Sequence, residues 1–258
     1  MSRKLSISEV FTSPQGEGFF SGVAMTFIRL AGCSVGKKLT PEMRQYWREK
    51  EPNFGNGLDG SQDQLPIIQE YTELCHTVDG RPFLCDTDFR PKEYRTPEEL
   101  LDMIPPGVHH VCITGGEPLI HKLDELFLAL RCDGKQIHIE TSGTVDSLNE
   151  DLDRPYLALE EVVQTIDHSG LVWMTVAPKI GALPKVMKCA SQIKLLVDAD
   201  FDPAKLPIEI LNHKLVYLMP INEEHTANFE NAQLCLEWQQ KFPHWRIGNQ
   251  LHKFLGCR

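Results

Sequence analysis

The feature that most constrains this chain is a rhythm. Short apolar runs recur along it, and between many of them the apolar residues fall at helical spacing. Runs of this length, bounded by turn residues, read as strands at 4–11 (KLSISEVF), 25–31 (MTFIRLA), 109–114 (HHVCIT), 136–141 (QIHIET), 171–176 (LVWMTV), 192–198 (QIKLLVD), 214–219 (KLVYLM) and 245–250. Helical periodicity spans 96–104, 121–131, 157–166 and 228–242. In the first of these, Thr96 stands as N-cap, Pro97 at the first helical position and Glu99 closes a capping box. Strands alternating with helices predict an α/β fold on a parallel sheet, open or barrel-like. In such sheets chemistry gathers at the carboxyl ends of the strands. One segment, 34–74, breaks the rhythm. It is rich in Pro, Gly, Gln and charge, looks helical only over 40–51, and reads as an insertion in a single domain.

The formal net charge of -10 argues against a sequence-blind nucleic-acid binder, which needs a basic surface, and says nothing for anionic membranes. The start, MSRKLSISEV, has no apolar run behind it, and no stretch approaches the ~18 apolar residues of a membrane span. The expected compartment is therefore the cytosol. Eight cysteines in a reducing space are buried thiols or ligands, not a disulfide framework. Cys112, Cys189 and Cys235 sit among apolar residues and read as core fillers. Cys33, Cys75 and Cys85 lie in loop or glycine-bearing context with the spacing C-x41-C-x9-C. Three readings stand at this point: three unrelated thiols, a structural zinc site with His76 as fourth ligand, or an iron–sulfur cluster with one iron left open. Beside them, CITGGEPL (112–119) places two glycines at a strand end, where backbone can approach a ligand closely.

Taken together, SPQGEG (13–18), FIRLAGC (27–33), CDTDF (85–89), TGGEPL (114–119), ETSGT (140–144), APK (177–179) and QLHKFLG (250–256) occur in the order found in a known family. On these motifs, which span nearly the whole chain, it resembles the 7-carboxy-7-deazaguanine synthase family of the radical S-adenosylmethionine (SAM) superfamily. The resemblance implies a partial, TIM-like barrel of mostly parallel strands. It implies conversion of 6-carboxy-5,6,7,8-tetrahydropterin to 7-carboxy-7-deazaguanine with loss of ammonia. The cofactors it implies are a 4Fe–4S cluster, SAM and Mg²⁺. Partners implied are a one-electron reductant such as flavodoxin or ferredoxin and a second copy of the chain in a homodimer.

The same resemblance assigns roles. Cys33, Cys75 and Cys85 hold the cluster, although the superfamily's C-x3-C-x2-C is absent here and the loop is opened by 34–74 and by HTVDGRPFL. Thr87 is a ligand for Mg²⁺, with Asp86 or Asp88 behind it. Pro14, Gln15, Gly16, Arg29, Thr114 and the terminal carboxylate of Arg258 meet the substrate, Arg29 through its planar fork. Gly116, Glu117, Glu140, the segment Ala177, Pro178, Lys179 and the segment Met219, Pro220, Ile221, Asn222 meet SAM. Two of these depart from the family pattern: Ala177 replaces a serine, and Met219–Asn222 replace Gln-Pro-Met-Asp. For Glu117 and Glu140, capping and salt-bridge roles stand beside the SAM role. Two other functions compete: another radical SAM enzyme, such as an activase acting on a protein, and a zinc-stabilised α/β binding module.

Overall fold

A computed structural model describes residues 3–50, 72–85, 87–146, 172–222, 228–251 and 255. Its centre is a nine-stranded sheet of β1 (Leu5–Pro14), β2 (Ala24–Leu30), β6 (Glu93–Arg95), β7 (His110–Gly115), β8 (Gln136–Thr141), β9 (Val172–Val176), β10 (Gln192–Val197), β11 (Val216–Pro220) and β12 (Arg246–Ile247). Their order across the sheet is β12-β11-β10-β9-β8-β7-β2-β1-β6. From β12 to β2 every pairing is parallel; β1 joins β2 and β6 antiparallel. The fold is mixed α/β with a mostly parallel sheet, and among the described residues its edges, β12 and β6, stay open.

The two faces of this sheet differ in kind. Ile28, Leu30, Val111, Ile113, Ile137, Ile139, Met174, Val176, Ile193, Leu195, Val197, Val216 and Leu218 point one way and form a single core with helical residues. The helices are α2 (Pro97–Leu101), α3 (Asp124–Cys132), α4 (Pro184–Cys189), α5 (Ile208–Leu211) and α6 (Phe229–Lys241), which supply Leu100, Leu126, Leu130, Val186, Met187, Ile210 and Cys235. Fully burying such a side chain contributes about 1.5–3 kcal/mol. The alternate residues face the other way, because successive side chains of a strand point to opposite faces. They include Arg29, Thr114, His138, Glu140, Thr175, Gln192 and Lys194. No helix covers this second face among the described residues; the loop 15–23 crosses it instead.

Local signals agree with the chain's capping chemistry. Thr96 Oγ1 accepts from Glu99 N and Glu99 returns the bond to Thr96 N, the reciprocal box that starts α2. Asn228 caps α6 through Asn231 N. The helix expected over 121–131 starts later, at Asp124, because Glu117 caps a separate 3₁₀ turn at Pro118–Ile120. The strand expected over 245–250 shrinks to two residues, and the helix at 157–166 lies outside the described residues. The helices α4 and α5 were not expected: each is six residues or fewer, too short for a periodic signal.

The segment expected as an insertion contributes to a second, three-stranded sheet. Strands β3 (Lys37–Lys38), β4 (Glu73–His76) and β5 (Pro82–Cys85) pair antiparallel, and α1 (Pro41–Lys50) packs on them through a satellite core of Leu39, Trp47 and Leu84. No helix of the described residues is long and apolar enough to cross a membrane.

On the helix-free face, towards the amino ends of the strands, Phe20 packs edge-on against His138 and Trp173, and His138 shares a 2.9 Å hydrogen bond with His110. Burial, with His110 beside it, pushes the His138 pKa down to about 3. The unfolded chain therefore takes up a proton that the folded one refuses between about pH 6.5 and pH 3. Stability falls as pH drops through this window, by up to about 1.4 kcal/mol per pH unit. Urea unfolding of wild type and His138→Asn is expected to show that part of the slope vanishing in the variant; parallel curves would exclude it.

Candidate active site

The candidate residues collect where the parallel strands end. Strand β2 leads into Ala31, Gly32 and Cys33; β7 into Gly116 and Glu117; β8 into Ser142; β9 into Ala177, Pro178 and Lys179; β11 into Ile221 and Asn222. Adjacent corners are stitched together. Glu117 N donates to Gly32 O, Ala177 N to Thr141 O and Lys179 N to Ser142 O.

The two glycines of TGGEPL have a steric reason. A Cβ on Gly115, at φ +146°, would stand 2.3 Å from Leu30 O, and one on Gly116 would stand 2.3 Å from Gly32 O and 2.6 Å from Cys33 Cβ. Any side chain there pushes the Cys33 corner away. Glu117, fully buried, serves this corner as a brace. Its carboxylate accepts from Leu119 N at 3.1 Å, Thr141 Oγ1 at 2.7 Å, Ser142 N at 2.9 Å and Ser142 Oγ. Four donors hold it within the protein, so the capping role weighed for Glu117 is the one this structure displays.

Cys75 and Cys85 come from the neighbouring strands β4 and β5. Cys75 pairs with Phe83 and Glu73 with Cys85, so both cysteines lie on one face of the hairpin. The Cys75 thiol is hydrogen-bonded to Cys85, and both lie in electrostatic range of Cys33. The bond to Cys85, then burial, raise the Cys75 pKa; burial foremost raises that of Cys33. Lys179 lies near, its Nζ 4.5 Å from the Phe83 ring centroid, and burial lowers its pKa despite the two thiols. His76 follows Cys75 in β4, and strand alternation sends it to the opposite face. Among the described residues no group of three His, Cys, Asp or Glu side chains closes on a single ion. Alternation along β4 thus separates the His76 side chain from those of Cys75 and Cys85. Three neighbouring thiols without a fourth partner suit a multi-iron group, whose separate corners each take one thiolate.

The hairpin is fastened to the main sheet by Arg81, a residue the sequence reading passed over. Arg81 is 8% exposed; its Nε lies 2.7 Å from Asp79 Oδ2, its Nη1 pairs with Asp198 at the end of β10, and its Nη2 donates to Leu196 O at 2.6 Å. Its guanidinium also stacks on Phe201. Thr77 bridges to Lys179, and Ile180 N donates to His76 O. After Cys85 the chain runs back past the Cys33 corner, where Gly32 N donates to Phe89 O and Ser8 Oγ to Asp88 O. Thr87 is half-buried and makes no hydrogen bond among the described residues. Asp88 is taken by Arg90 and Lys92, which hold its carboxyl well below the usual range. Asp86 lies outside the described residues.

On the polar face, Arg29 pairs across strands with Thr114 and Glu9, and its Nε lies 3.6 Å from Glu9 Oε2. The loop from Pro14 to Val23 folds over this face. Gln15, 8% exposed, donates to Glu140, and Gly16 O accepts from Leu251 N. Glu17 binds Lys194 Nζ at 2.6 Å and accepts from Gln250. Lys194 also reaches Glu140 at 3.2 Å. Neither Glu17 nor Lys194 was singled out from sequence. Glu17 lies inside the QGEG motif, and a lysine at an inward-alternating position of QIKLLVD was the available signal. Met219 sits against Gly248, which has no room for a Cβ beside the Met219 sulfur, and Pro220 is buried. Asn222 accepts from Asn228 N and Ile221 O from Asn231. Arg258 lies outside the described residues.

Replacing Arg81 by Met leaves Asp79 and Asp198 without their cation, a change that costs about 3–5 kcal/mol when a buried pair is broken. Hydrogen exchange of residues 73–85 is expected to quicken in Arg81→Met while β7 and β8 keep their protection. Unchanged exchange would show that Thr77 and Ile180 suffice to hold the hairpin.

No family model matches the chain. Curated proteins do. A 7-carboxy-7-deazaguanine synthase of Bradyrhizobium diazoefficiens is 26% identical over 265 residues, covering 98% of this chain and 99% of the relative. The enzyme of that name from Escherichia coli K12 is 29% identical over 265 residues, 97% of each chain. That of Synechocystis is 27% identical over 257 residues, 98% of this chain and 93% of the relative. Among solved structures, the crystal structure of QueE from Escherichia coli superposes with a TM-score of 0.56 at 25% identity, covering 96% of this chain and 94% of that one. Along nearly its whole length, in sequence and in fold, the chain is a homologue of the 7-carboxy-7-deazaguanine synthases.

Proposed function

We propose that the chain is a radical SAM lyase that converts 6-carboxy-5,6,7,8-tetrahydropterin to 7-carboxy-7-deazaguanine with loss of ammonia, a step towards queuosine-type nucleosides. One observation supports the reading: Cys75 is hydrogen-bonded to Cys85, both lie within electrostatic range of Cys33, and Cys33 abuts Gly116 beyond the carboxyl end of β2. Cys33, Cys75 and Cys85 would hold a 4Fe–4S cluster. With SAM, that cluster supplies one-electron cleavage chemistry that begins hydrogen abstraction from the substrate.

The chain's own residues do the rest. Gly116 leaves the cofactor edge open, and Glu117 keeps the β7 and β8 corners in register for it. Ala177 to Lys179 and Met219 to Asn222 line the SAM side of the cleft, through backbone groups where the family's side chains are absent. Arg29 offers its fork to the substrate carboxylate, with Thr114 next to it and Pro14, Gln15 and Gly16 overhead. Thr87, whose hydroxyl makes no bond of its own among the described residues, would hold Mg²⁺ at that carboxylate. The terminal carboxylate of Arg258 completes the substrate contacts. The polar face, bare of helices among the described residues, is the concave side of an incomplete barrel in this reading, and it excludes water once the loop 14–23 lies over it. The enzyme works in the cytosol as a homodimer of single-domain subunits, reduced by a flavodoxin or ferredoxin.

The deciding experiment is anaerobic cluster reconstitution followed by product analysis with SAM, reductant, Mg²⁺ and carboxytetrahydropterin. Formation of 7-carboxy-7-deazaguanine is expected. A protein that purifies anaerobically with about one zinc and no sulfide would end the enzyme reading. Cys75→Ala is expected to lose iron and sulfide while its circular dichroism stays native; full cluster content in that variant would place the third thiolate elsewhere.

A further inference from the structure

The loop between β1 and β2 is bonded to itself. Pro14 pairs with Ala24 at its base, Gln15 N donates to Val23 O at 2.7 Å and Gly22 N to Gln15 O at 2.8 Å. Inside it, Ser21 N donates to Gly18 O, Val23 N to Phe20 O and Glu17 N to Gln15 Oε1. A short loop with its ends together and its own internal bonds behaves as one piece. A contact at Gly18 and Phe19 therefore sets where Gln15 and Gly16 stand.

Two of the loop's contacts with the sheet involve charged groups. Gln15 donates to Glu140; Glu17 binds Lys194 and lies in electrostatic range of Lys179. A further one is neutral and buried. Gln192, 3% exposed, opens β10 and pairs with Thr175 across the strands. Its Nε2 donates to Thr175 Oγ1 at 2.8 Å, and its Oε1 accepts from Phe19 N at 3.0 Å. With a partner at each end, the carboxamide is held in one orientation. Gly18, at φ +70°, rests directly on it. A Cβ there would stand 2.5 Å from Gln192 Nε2 and 2.7 Å from Oε1, so contact and backbone conformation both call for glycine. The Phe19 ring then stacks on Trp173, with centroids 5.0 Å apart.

We infer that Gln192 is a positioning residue for the proposed reaction: through Gly18 and Phe19 it fixes the height and tilt of loop 15–23 over the polar face, and so the placement of Gln15 and Gly16. Its own carboxamide is spent on Thr175 and Phe19, so it acts through the loop. This deepens the proposed function and rests on it for the part that Gln15 and Gly16 play. The physical reason for a neutral amide here is its pair of opposite ends. One side chain supplies an acceptor to the loop backbone and a donor to the sheet, and it does so without adding a charge to a face that already holds Glu17, Glu140, Lys179 and Lys194. A merely structural Gln192, tying the loop to β10, would contribute to stability and leave substrate binding alone.

Three variants of the full chain, reconstituted anaerobically, test this. Gln192→Met keeps the length of the side chain and removes both bonds. Gln192→Glu keeps the acceptor for Phe19 N, and the Thr175 hydroxyl can turn to donate to it. Gly18→Ala sets a methyl group against the carboxamide from the loop side. The measurements are hydrogen exchange at the Phe19 amide, the SAM dissociation constant, and KM and kcat for 6-carboxy-5,6,7,8-tetrahydropterin. Gln192→Met and Gly18→Ala are expected to quicken exchange at Phe19 and to raise KM about tenfold, the worth of a hydrogen bond or two, with SAM affinity unchanged. Gln192→Glu is expected to recover most of the wild-type KM. Should Gln192→Met fail to fold, Gly18→Ala reads the same contact. Unchanged exchange at Phe19, quickened exchange with KM unchanged, or a loss of SAM affinity equal to the change in KM overturns the inference alone. A wild type that makes no 7-carboxy-7-deazaguanine overturns the substrate reading beneath it.

Discussion

The architecture depends on the period-two alternation of the parallel strands combined with helices that, among the described residues, cover one face only. Burial of Ile, Val and Leu against α2 to α6 drives that face inward. The same alternation leaves Arg29, Thr114, Glu140, Thr175, Gln192 and Lys194 on the other, where each buried polar group needs a partner. The partners are supplied by the loop 14–23 and by one another: Gln15 to Glu140, Glu17 to Lys194, Phe19 N to Gln192. A polar interior surface is thus a consequence of the fold's energetics.

The thiols depend on a different device. Cys33 is held by the main sheet through the Gly32 corner, whereas Cys75 and Cys85 belong to a hairpin with its own small core. The two bodies are fastened by a buried arginine with two carboxylates and by the Thr77–Lys179 bridge. Such a charged anchor has strict geometry, because an unpaired member is expensive. It fixes the hairpin without requiring a large apolar interface, and it leaves the thiol side open. The 41-residue gap between Cys33 and Cys75 is accommodated in this way. Loop-closure entropy grows slowly with length, so a long excursion costs little once its return point is anchored.

Much of this was legible from residues. The capping box at Thr96, seven of the strands and the strand-end position of TGGEPL follow from local rules that need no partner. The position of the candidate site was legible in its motifs: Cys33, Arg29, Thr114 and Gly116 lie at or beside strand ends. What was not legible was pairing. Lys194 in QIKLLVD looks like one polar residue in an apolar strand, and nothing in its neighbourhood names Glu17 or Glu140 as partners. Arg81 in a VDGR turn looks like a solvated loop residue; its burial arises from Asp198 and Phe201, more than a hundred residues away.

By itself the sequence determined which segments alternate, where the chain turns, and which cysteines, glycines and charges stand near strand ends, because periodicity, capping and turn chemistry act over a few residues. Only the tertiary structure decided that the polar alternates share one face, that Glu117 is spent on Thr141 and Ser142, and that Glu140 is clasped by Lys194. Those outcomes depend on strand order and register. They bring together groups whose separation in the chain carries no information about their distance in space.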